Sequence, residues 1–234
     1  MEQTHVDLKR EQRATMERPH YSYSLLARFF FLAMDIVTGR KTTLAKTKLL
    51  EILASIPYRA WENREYLRMT RGYRKPAVVQ QTRRVVAYGR EAQDNEYWHL
   101  LVIHEKMKAD GAPDPWYLVP PIPWLVVWSY RVMSGLLARI SLRRAFLFNA
   151  EFEDHAEHVY AQFAADHPEW ETQPVENALV KEFCGYANTW ADVFRRISLD
   201  ERDHRNQSFV LCGKPECVVQ YEGMPKTDAP PPTS

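Results

Sequence analysis

The sequence predicts an all-α protein made of long helices. Only 8 of its 234 residues are glycine and 15 are proline, whereas tight β-hairpins depend on glycine. Alternating runs of valine and threonine, which are typical of strands, are scarce. A hydrophobic fraction of 45% with 26% charged residues excludes collagen-like, low-complexity and wholly disordered chains. The three cysteines lack a C-x-x-C motif, so they indicate neither a disulfide framework nor a zinc knuckle.

The first two predicted helices are an amphipathic segment and a long helical stretch. Residues 21–38 are rich in aromatic side chains and are followed by a Gly-Arg-Lys stop signal. Residues 43–68 form the second helix, in which Pro57 could introduce a kink.

Three further helices complete the predicted bundle. Residues 76–109 are rich in Glu, Gln and Arg and end at an Asp-Gly-Ala-Pro turn. The next helix covers residues 123–167, with a possible break near Gly135, and the last covers residues 175–205. Together with residues 43–68 these make four long helices, which favour a helix bundle.

We predict a single domain, a helical bundle over residues 21–210. Residues 1–20 are polar and are predicted to be a flexible N-terminal segment. Residues 211–234 are predicted to be a C-terminal tail, because the end from Pro225 is rich in proline and small polar residues.

Two Glu-x-x-His pairs are the first candidates for chemistry. Glu96 and His99 lie in one predicted helix, and Glu201 and His204 lie in another. A separation of three residues places a carboxylate and an imidazole on the same helix face, where both can reach one ion. A single pair of this kind often arises by chance, so the prediction of a metal site depends largely on the presence of the second pair.

The other two long helices each offer a carboxylate. Glu51 is flanked by apolar residues, where an uncompensated charge would be costly; the alternative is an interhelical salt bridge. Glu153 lies near Asp154 and Glu157, so its alternative is a solvated helix face. One Glu from each of two helices and Glu-x-x-His from each of the other two is the ligand pattern of di-iron or di-manganese carboxylate bundles.

Three more residues are candidates because of their positions relative to these ligands. Asn95 and Asp200 each precede the Glu of a Glu-x-x-His pair, and we expect one or both to hold an imidazole through an interhelical hydrogen bond. Tyr160 lies two helical turns after Glu153, on the same stripe. Its phenol could donate an electron and a proton beside an oxygen-activating metal; the alternative is ordinary aromatic packing.

The sequence also indicates attachment to a membrane surface without crossing. The most apolar run, residues 116–137, is interrupted by three prolines and an arginine. An aromatic and aliphatic segment over residues 25–36 is followed by several basic residues, as in helices that lie in an anionic interface. Trp116, Trp124 and Trp128 suit the headgroup region. The alternative is a hydrophobic dimer or core face.

Four segments resemble, in order and spacing, the four motifs of the alternative oxidase family, and within it the plastid terminal oxidase branch. They are residues 50–58 (LEILASIPY), 95–101 (NEYWHLL), 153–160 (EDHAEHVY) and 197–205 (ISLDERDHR). The resemblance implies a ferritin-like four-helix di-iron bundle with additional short amphipathic helices. It also implies a quinol oxidase that reduces O₂ to water without pumping protons and binds one membrane leaflet as a homodimer.

Carried over residue by residue, the resemblance implies a site with two non-haem iron ions. The iron ligands would be Glu51, Glu96, His99, Glu153, Glu201 and His204, and Tyr160 would be redox-active. The quinol pocket would be lined by Lys46, Leu50, Phe152, His155, Ala156 and Tyr160. Lys46 replaces the arginine that is usual in the family, and a lysine ammonium is a point donor rather than a planar fork.

We expect a peripheral protein on the cytoplasmic face of a bacterial inner membrane, since no transit peptide precedes the resemblance. No nucleic-acid partner is expected. Two other functions stay open: a di-iron hydroxylase of a quinone precursor, and a non-catalytic metal-binding bundle. A hydroxylase inserts oxygen into its product, and a non-catalytic bundle needs neither Tyr160 nor an apolar membrane-facing stripe.

Overall fold

The computed structural model describes residues 6–185 and 187–224, and within these ranges the protein has eight α-helices and no β-strand. The helices are α1 (Leu8–Glu17), α2 (Leu25–Thr38), α3 (Leu44–Arg71), α4 (Pro76–Ala109), α5 (Ile122–Ile140), α6 (Leu142–Ala165), α7 (Ala178–Phe183) and α8 (Trp190–Leu211). The predicted all-α class is confirmed. Assignment of these helices to a ferritin-like di-iron bundle remains a proposal.

The described residues divide into two compact units. The first unit contains residues 6–31 and the described part of 147–224; the second contains residues 32–146. The predicted boundaries at residues 20 and 210 stay predictions. The proline-rich end from Pro225 lies outside the described residues.

In the second unit, α3 packs against both α4 and α5. The Thr43 hydroxyl caps α3 by accepting a hydrogen bond from the Lys46 amide at 3.1 Å. Gly89 on α4 permits close contact with α3, because a Cβ there would stand 3.2 Å from the Tyr58 carbonyl oxygen. Trp61 is fully buried and meets the Phe146 ring edge-on at a centroid distance of 4.6 Å.

In the first unit, α1 packs against α8 through polar contacts. Gln12 donates to the Ala161 carbonyl at 2.8 Å and accepts from the Arg195 guanidinium at 2.6 Å. Thr15 donates to the Glu157 carboxylate at 2.8 Å. This helix was not predicted from the sequence, because its apolar content is low and its buried side chains are polar.

Two predicted helices differ from the observed ones. The break predicted near Gly135 is wrong: the helix continues through Gly135 and ends at Ile140, because Ser141 is extended and its hydroxyl accepts from the Arg144 amide, which starts α6. The continuous helix predicted over residues 175–205 is also wrong. It is divided into α7 and α8, each of which starts at its own capping side chain, that of Asn177 or Thr189.

Among the described residues, no helix is both long enough and apolar enough to cross a bilayer. Helices α2 and α5 nevertheless expose large apolar side chains at helical spacing. On α2 they are Leu25, Phe29, Leu32 and Ile36; on α5 they are Trp124, Trp128, Val132, Leu136 and Ile140.

Candidate metal centre

In the second unit, α3 and α4 bring together three candidate ligands. Glu51 comes from α3, and Glu96 and His99 come from adjacent turns of one face of α4. The His99 Nδ1 atom lies 3.4 Å from a Glu51 carboxylate oxygen and 3.6 Å from a Glu96 oxygen. One ligand atom from each of the three residues lies within 4.8 Å of the others, and all three side chains are buried. We call these residues the α3–α4 triad.

In the first unit, α6 and α8 bring together the other three. Glu153 comes from α6, and Glu201 and His204 come from α8. The His204 Nδ1 atom lies 3.3 Å from a Glu201 carboxylate oxygen, and ligand atoms of all three residues lie within 4.8 Å of one another. These side chains are also buried. We call these residues the α6–α8 triad.

The two triads have the same composition, two carboxylates and one imidazole, and their geometry fits a bound ion. Two atoms that bind one ion at about 2.1 Å, with an angle between about 90 and 109° at the ion, lie about 3.0 to 3.4 Å apart. The nitrogen–oxygen separations in the two triads, 3.3, 3.4 and 3.6 Å, are close to that range. Carboxylate oxygen and imidazole nitrogen suit iron, manganese and zinc. These buried Glu and His groups could therefore hold a metal ion.

Asn149 supports the α6–α8 triad and was missed by the sequence analysis. Its amide nitrogen donates to a Glu153 carboxylate oxygen at 3.0 Å and to the Ser208 hydroxyl at 3.2 Å. Asn149 lies one helical turn before Glu153, so the i, i+4 spacing was a signal available in the sequence. This hydrogen bond orients one oxygen of a candidate ligand.

The two residues predicted to orient the imidazoles are both found near the triads. Asp200 accepts an ion-paired hydrogen bond from Arg196, one turn earlier on α8. Within the described part of the chain, the buried Asn95 Oδ1 atom has no hydrogen-bond partner. Their predicted interhelical hydrogen bonds to His99 or His204 stay predictions.

A buried ion pair stands directly beside the α6–α8 triad. Asp154 follows Glu153 in sequence and accepts from the Arg205 guanidinium at 2.7 Å, from the Tyr21 amide at 2.9 Å and from the Tyr23 hydroxyl at 2.9 Å. Burial alone would raise the pKa of Asp154, but the Tyr21 amide and the Arg205 guanidinium hold it below its usual value. Burial of the Tyr23 side chain and the negative charge of Asp154 raise the pKa of the Tyr23 hydroxyl.

A second buried carboxylate, Glu157, joins α1, α6 and α8. It accepts from Thr15, Arg18 and Arg202, with the Arg202 Nε atom at 2.8 Å. Burial opposes ionisation, but the two guanidinium groups hold the pKa of Glu157 below its usual value. Glu157 was predicted only as part of a possible solvated helix face, whereas it is buried.

The first unit contains four of the residues predicted to bind quinol. Tyr160 is fully buried on α6, with its ring centroid 6.3 Å from that of Phe194. Phe152 and Ala156 are buried, and His155 stacks on Phe31 at a centroid distance of 4.1 Å.

The other two predicted quinol residues, Lys46 and Leu50, lie on α3 in the second unit and are buried. The Lys46 ammonium donates to an Asp35 carboxylate oxygen at 2.6 Å and to the Gly39 carbonyl at 2.8 Å. The role of all six residues in one pocket stays a prediction.

A further group, His20, Asp154 and His158, also has ligand atoms within 4.8 Å of one another. Both ring nitrogens of His158 are already in contact with backbone carbonyl oxygens, that of Asp154 at 2.7 Å and that of Arg18 at 3.0 Å. A ring nitrogen that donates to a carbonyl has no lone pair for a metal. The nitrogen of His158 that donates is therefore not available to a metal ion in the described conformation.

Comparisons with known proteins add no assignment. No protein-family model matches the chain, and no curated protein matches it.

Proposed function

We propose that this protein is a di-iron quinol oxidase of the alternative oxidase type, which reduces O₂ to water. The observation that carries the proposal is the pair of buried triads, each with two glutamates and one histidine. The ordered sequence motifs described above supply the link from a metal site to this particular reaction.

The six triad residues together match the charge of two divalent ions. Four carboxylates carry four negative charges, and neutral imidazoles complete the coordination. Carboxylate oxygen and imidazole nitrogen from these buried side chains are ligands that suit divalent iron. In the proposed ferritin-like bundle, α3 and α6 each supply one glutamate. Helices α4 and α8 each supply a Glu-x-x-His pair. Bound iron would supply the capacity to bind and reduce dioxygen.

Tyr160 is proposed to supply one electron and one proton during oxygen reduction. It lies seven residues after Glu153, which is about 10.5 Å along the helix axis, and its side chain leans back toward the start of α6. Full burial keeps the phenol away from bulk water. Two quinols release four electrons and four protons in all, which balances the reduction of one O₂ to two waters.

Membrane attachment is proposed because quinols dissolve in lipid and because α2 and α5 expose apolar stripes. Trp124 and Trp128 on α5 are amphipathic side chains of the kind found at the lipid headgroup level. The protein is proposed to lie on one leaflet, on the cytoplasmic face of a bacterial membrane, and to form a homodimer.

The decisive experiment is oxygen uptake by membranes that contain the protein, with a short-chain quinol and with cyanide present to silence haem oxidases. Two quinols oxidised per O₂, with quinone as the product, supports the oxidase. A product that is heavier by one oxygen atom identifies the hydroxylase instead. Iron binding without oxygen consumption identifies a non-catalytic bundle.

A further inference from the structure

The second unit contains a large groove of about 1390 Å³ between α3, the start of α4, and α5. Its lining residues all lie between Ile56 and Arg139, so the groove belongs to this unit alone. It includes none of the triad residues, and no acidic side chain lines it.

The groove is strongly basic. Arg64 and Arg68 line it, but both are ion-paired to Glu65. Arg59 also lines it and interacts electrostatically with Glu62. The remaining four cations in the lining are Arg71, Lys75, Arg131 and Arg139. Within the residues that the structure describes, these four side chains form no ion pair with a carboxylate. The groove therefore has several positive charges available for an anion.

The backbone adds to this positive potential. Lys75 is the N-cap residue of α4, and no side chain caps that helix. The start of a helix carries a partial positive charge and amide groups without intrahelical acceptors. An anion near Lys75 would therefore meet both an ammonium group and the positive end of a 34-residue helix.

One wall of the groove is apolar and continues onto the protein surface. Trp128, Val132 and Leu136 line the groove and also belong to the exposed apolar stripe of α5. A small anion such as phosphate would leave this wall in contact with water. A molecule with an anionic head and a hydrocarbon chain would cover the wall and neutralise the cations together.

We propose that this groove binds one anionic phospholipid per chain. The phosphate headgroup contacts Arg71, Lys75, Arg131 and Arg139, and an acyl chain lies along the apolar side chains of α5. Guanidinium groups suit phosphate because they offer paired N–H donors. The proposal extends the membrane attachment proposed above and does not depend on the metal centre.

The test is native mass spectrometry of the full chain in a neutral detergent, because one spectrum reports both bound lipid and oligomeric state. The probes are dioleoyl phosphatidylglycerol, dioleoyl phosphatidylcholine and inorganic phosphate. We expect one phosphatidylglycerol per chain to bind first, with an affinity at least about tenfold above that of phosphatidylcholine. Equal binding of the two lipids, or displacement by equimolar phosphate, would overturn the proposal.

Charge variants locate the site. Arg131→Gln with Arg139→Gln should weaken phosphatidylglycerol binding at least about tenfold. Arg83→Gln with Arg84→Gln removes the same charge from exposed positions on α4 outside the groove and should leave binding unchanged. Equal losses in both double variants would mean nonspecific attraction and would overturn the proposal.

A steric variant separates lipid from a second copy of the chain. Gly135 lines the groove, and a Cβ there would meet no atom within 4 Å. Gly135→Trp should fill the groove and remove the lipid while the oligomeric state stays unchanged, and Gly135→Ala should keep the lipid. If Gly135→Trp instead turns dimers into monomers, the groove is covered by a second chain and the lipid proposal is wrong. The lipid preference of the wild-type chain tests the proposal even if a variant fails to fold.

Discussion

Arg205 donates to Asp154 at 2.7 Å, and each of these residues directly follows a candidate metal ligand, His204 in one case and Glu153 in the other. This buried ion pair therefore joins α6 to α8 at the level of the α6–α8 triad. Because each partner is covalently next to a candidate ligand, the ion pair constrains the backbone that carries Glu153 and His204.

The first prediction concerns this ion pair. Asp154→Asn should lower the free energy of unfolding by about 3 to 5 kcal/mol, because it leaves the Arg205 charge buried without its partner. Iron affinity should fall about 10- to 100-fold, as for other residues that orient ligands. Chemical unfolding and iron titration are the measurements. Asp166→Asn, at an exposed position just after α6, is the matched control.

The second prediction concerns the α3–α4 triad. Glu96→Gln keeps the size of the side chain but removes one anionic ligand, so iron content should fall to half or less and quinol oxidation by at least about 100-fold. Glu91→Gln makes the same change on an exposed part of α4 and should have wild-type values. Normal iron content and turnover in Glu96→Gln would exclude Glu96 as a ligand.

The third prediction concerns Tyr160. Tyr160→Phe should reduce turnover per iron-loaded site by more than tenfold, which corresponds to more than about 1.4 kcal/mol in the activation free energy. Phenylalanine cannot supply a proton and has no accessible radical, whereas the fold should lose only about 0.5 to 1.5 kcal/mol for one hydrogen bond. Tyr58→Phe, at another fully buried tyrosine, is the control. Turnover within about threefold of wild type would leave Tyr160 as a packing residue.

The fourth prediction concerns pH. The pKa of Glu157 is held below its usual value in the folded protein, so its ionised form stabilises the fold above the unfolded-state pKa of about 4.3. That contribution is lost as the pH falls below this value. The free energy of unfolding of the metal-free wild-type protein should therefore decrease more steeply on acidification than that of metal-free Glu157→Gln. Parallel curves for the two proteins would contradict this assignment.

The fifth prediction concerns membrane attachment. High salt should release little of the protein, because contact between lipid and the apolar stripes of α2 and α5 outlasts the screening of charges; detergent should release it. Single cysteines introduced at exposed positions should react with an impermeant reagent from one side of sealed vesicles only. Reaction from opposite sides would contradict attachment to one leaflet.

Much of the helix content was predictable because its signals are local. The bounds of α4 agree with the prediction, since Pro76 can start a helix and an Asp-Gly turn follows it. Each Glu-x-x-His pair is set by a spacing of three residues on one helix. The starts of α6 and α8 were missed because the sequence around each start has a continuous helical composition. In the structure, a single capping side chain, Ser141 or Thr189, starts a new helix there.

The supporting contacts of the site were not predictable from periodicity. Asp154 and Arg205 are 51 residues apart, and no local pattern indicates that they meet. The same holds for Glu157, whose partners come from α1 and α8. Helix α1 was missed because its buried side chains are polar, so the hydrophobic pattern that reveals a docked helix is weak.

The Lys46 side chain links the end of α2 to the first turn of α3. Its ammonium holds both Asp35 on α2 and the Gly39 carbonyl in the turn that follows. These two hydrogen bonds join the end of α2 to the first turn of α3 directly, in addition to the connecting turn. Glu51 lies five residues beyond Lys46 on that same helix. A displacement of this end of α2 would therefore act on the helix that carries the candidate ligand Glu51.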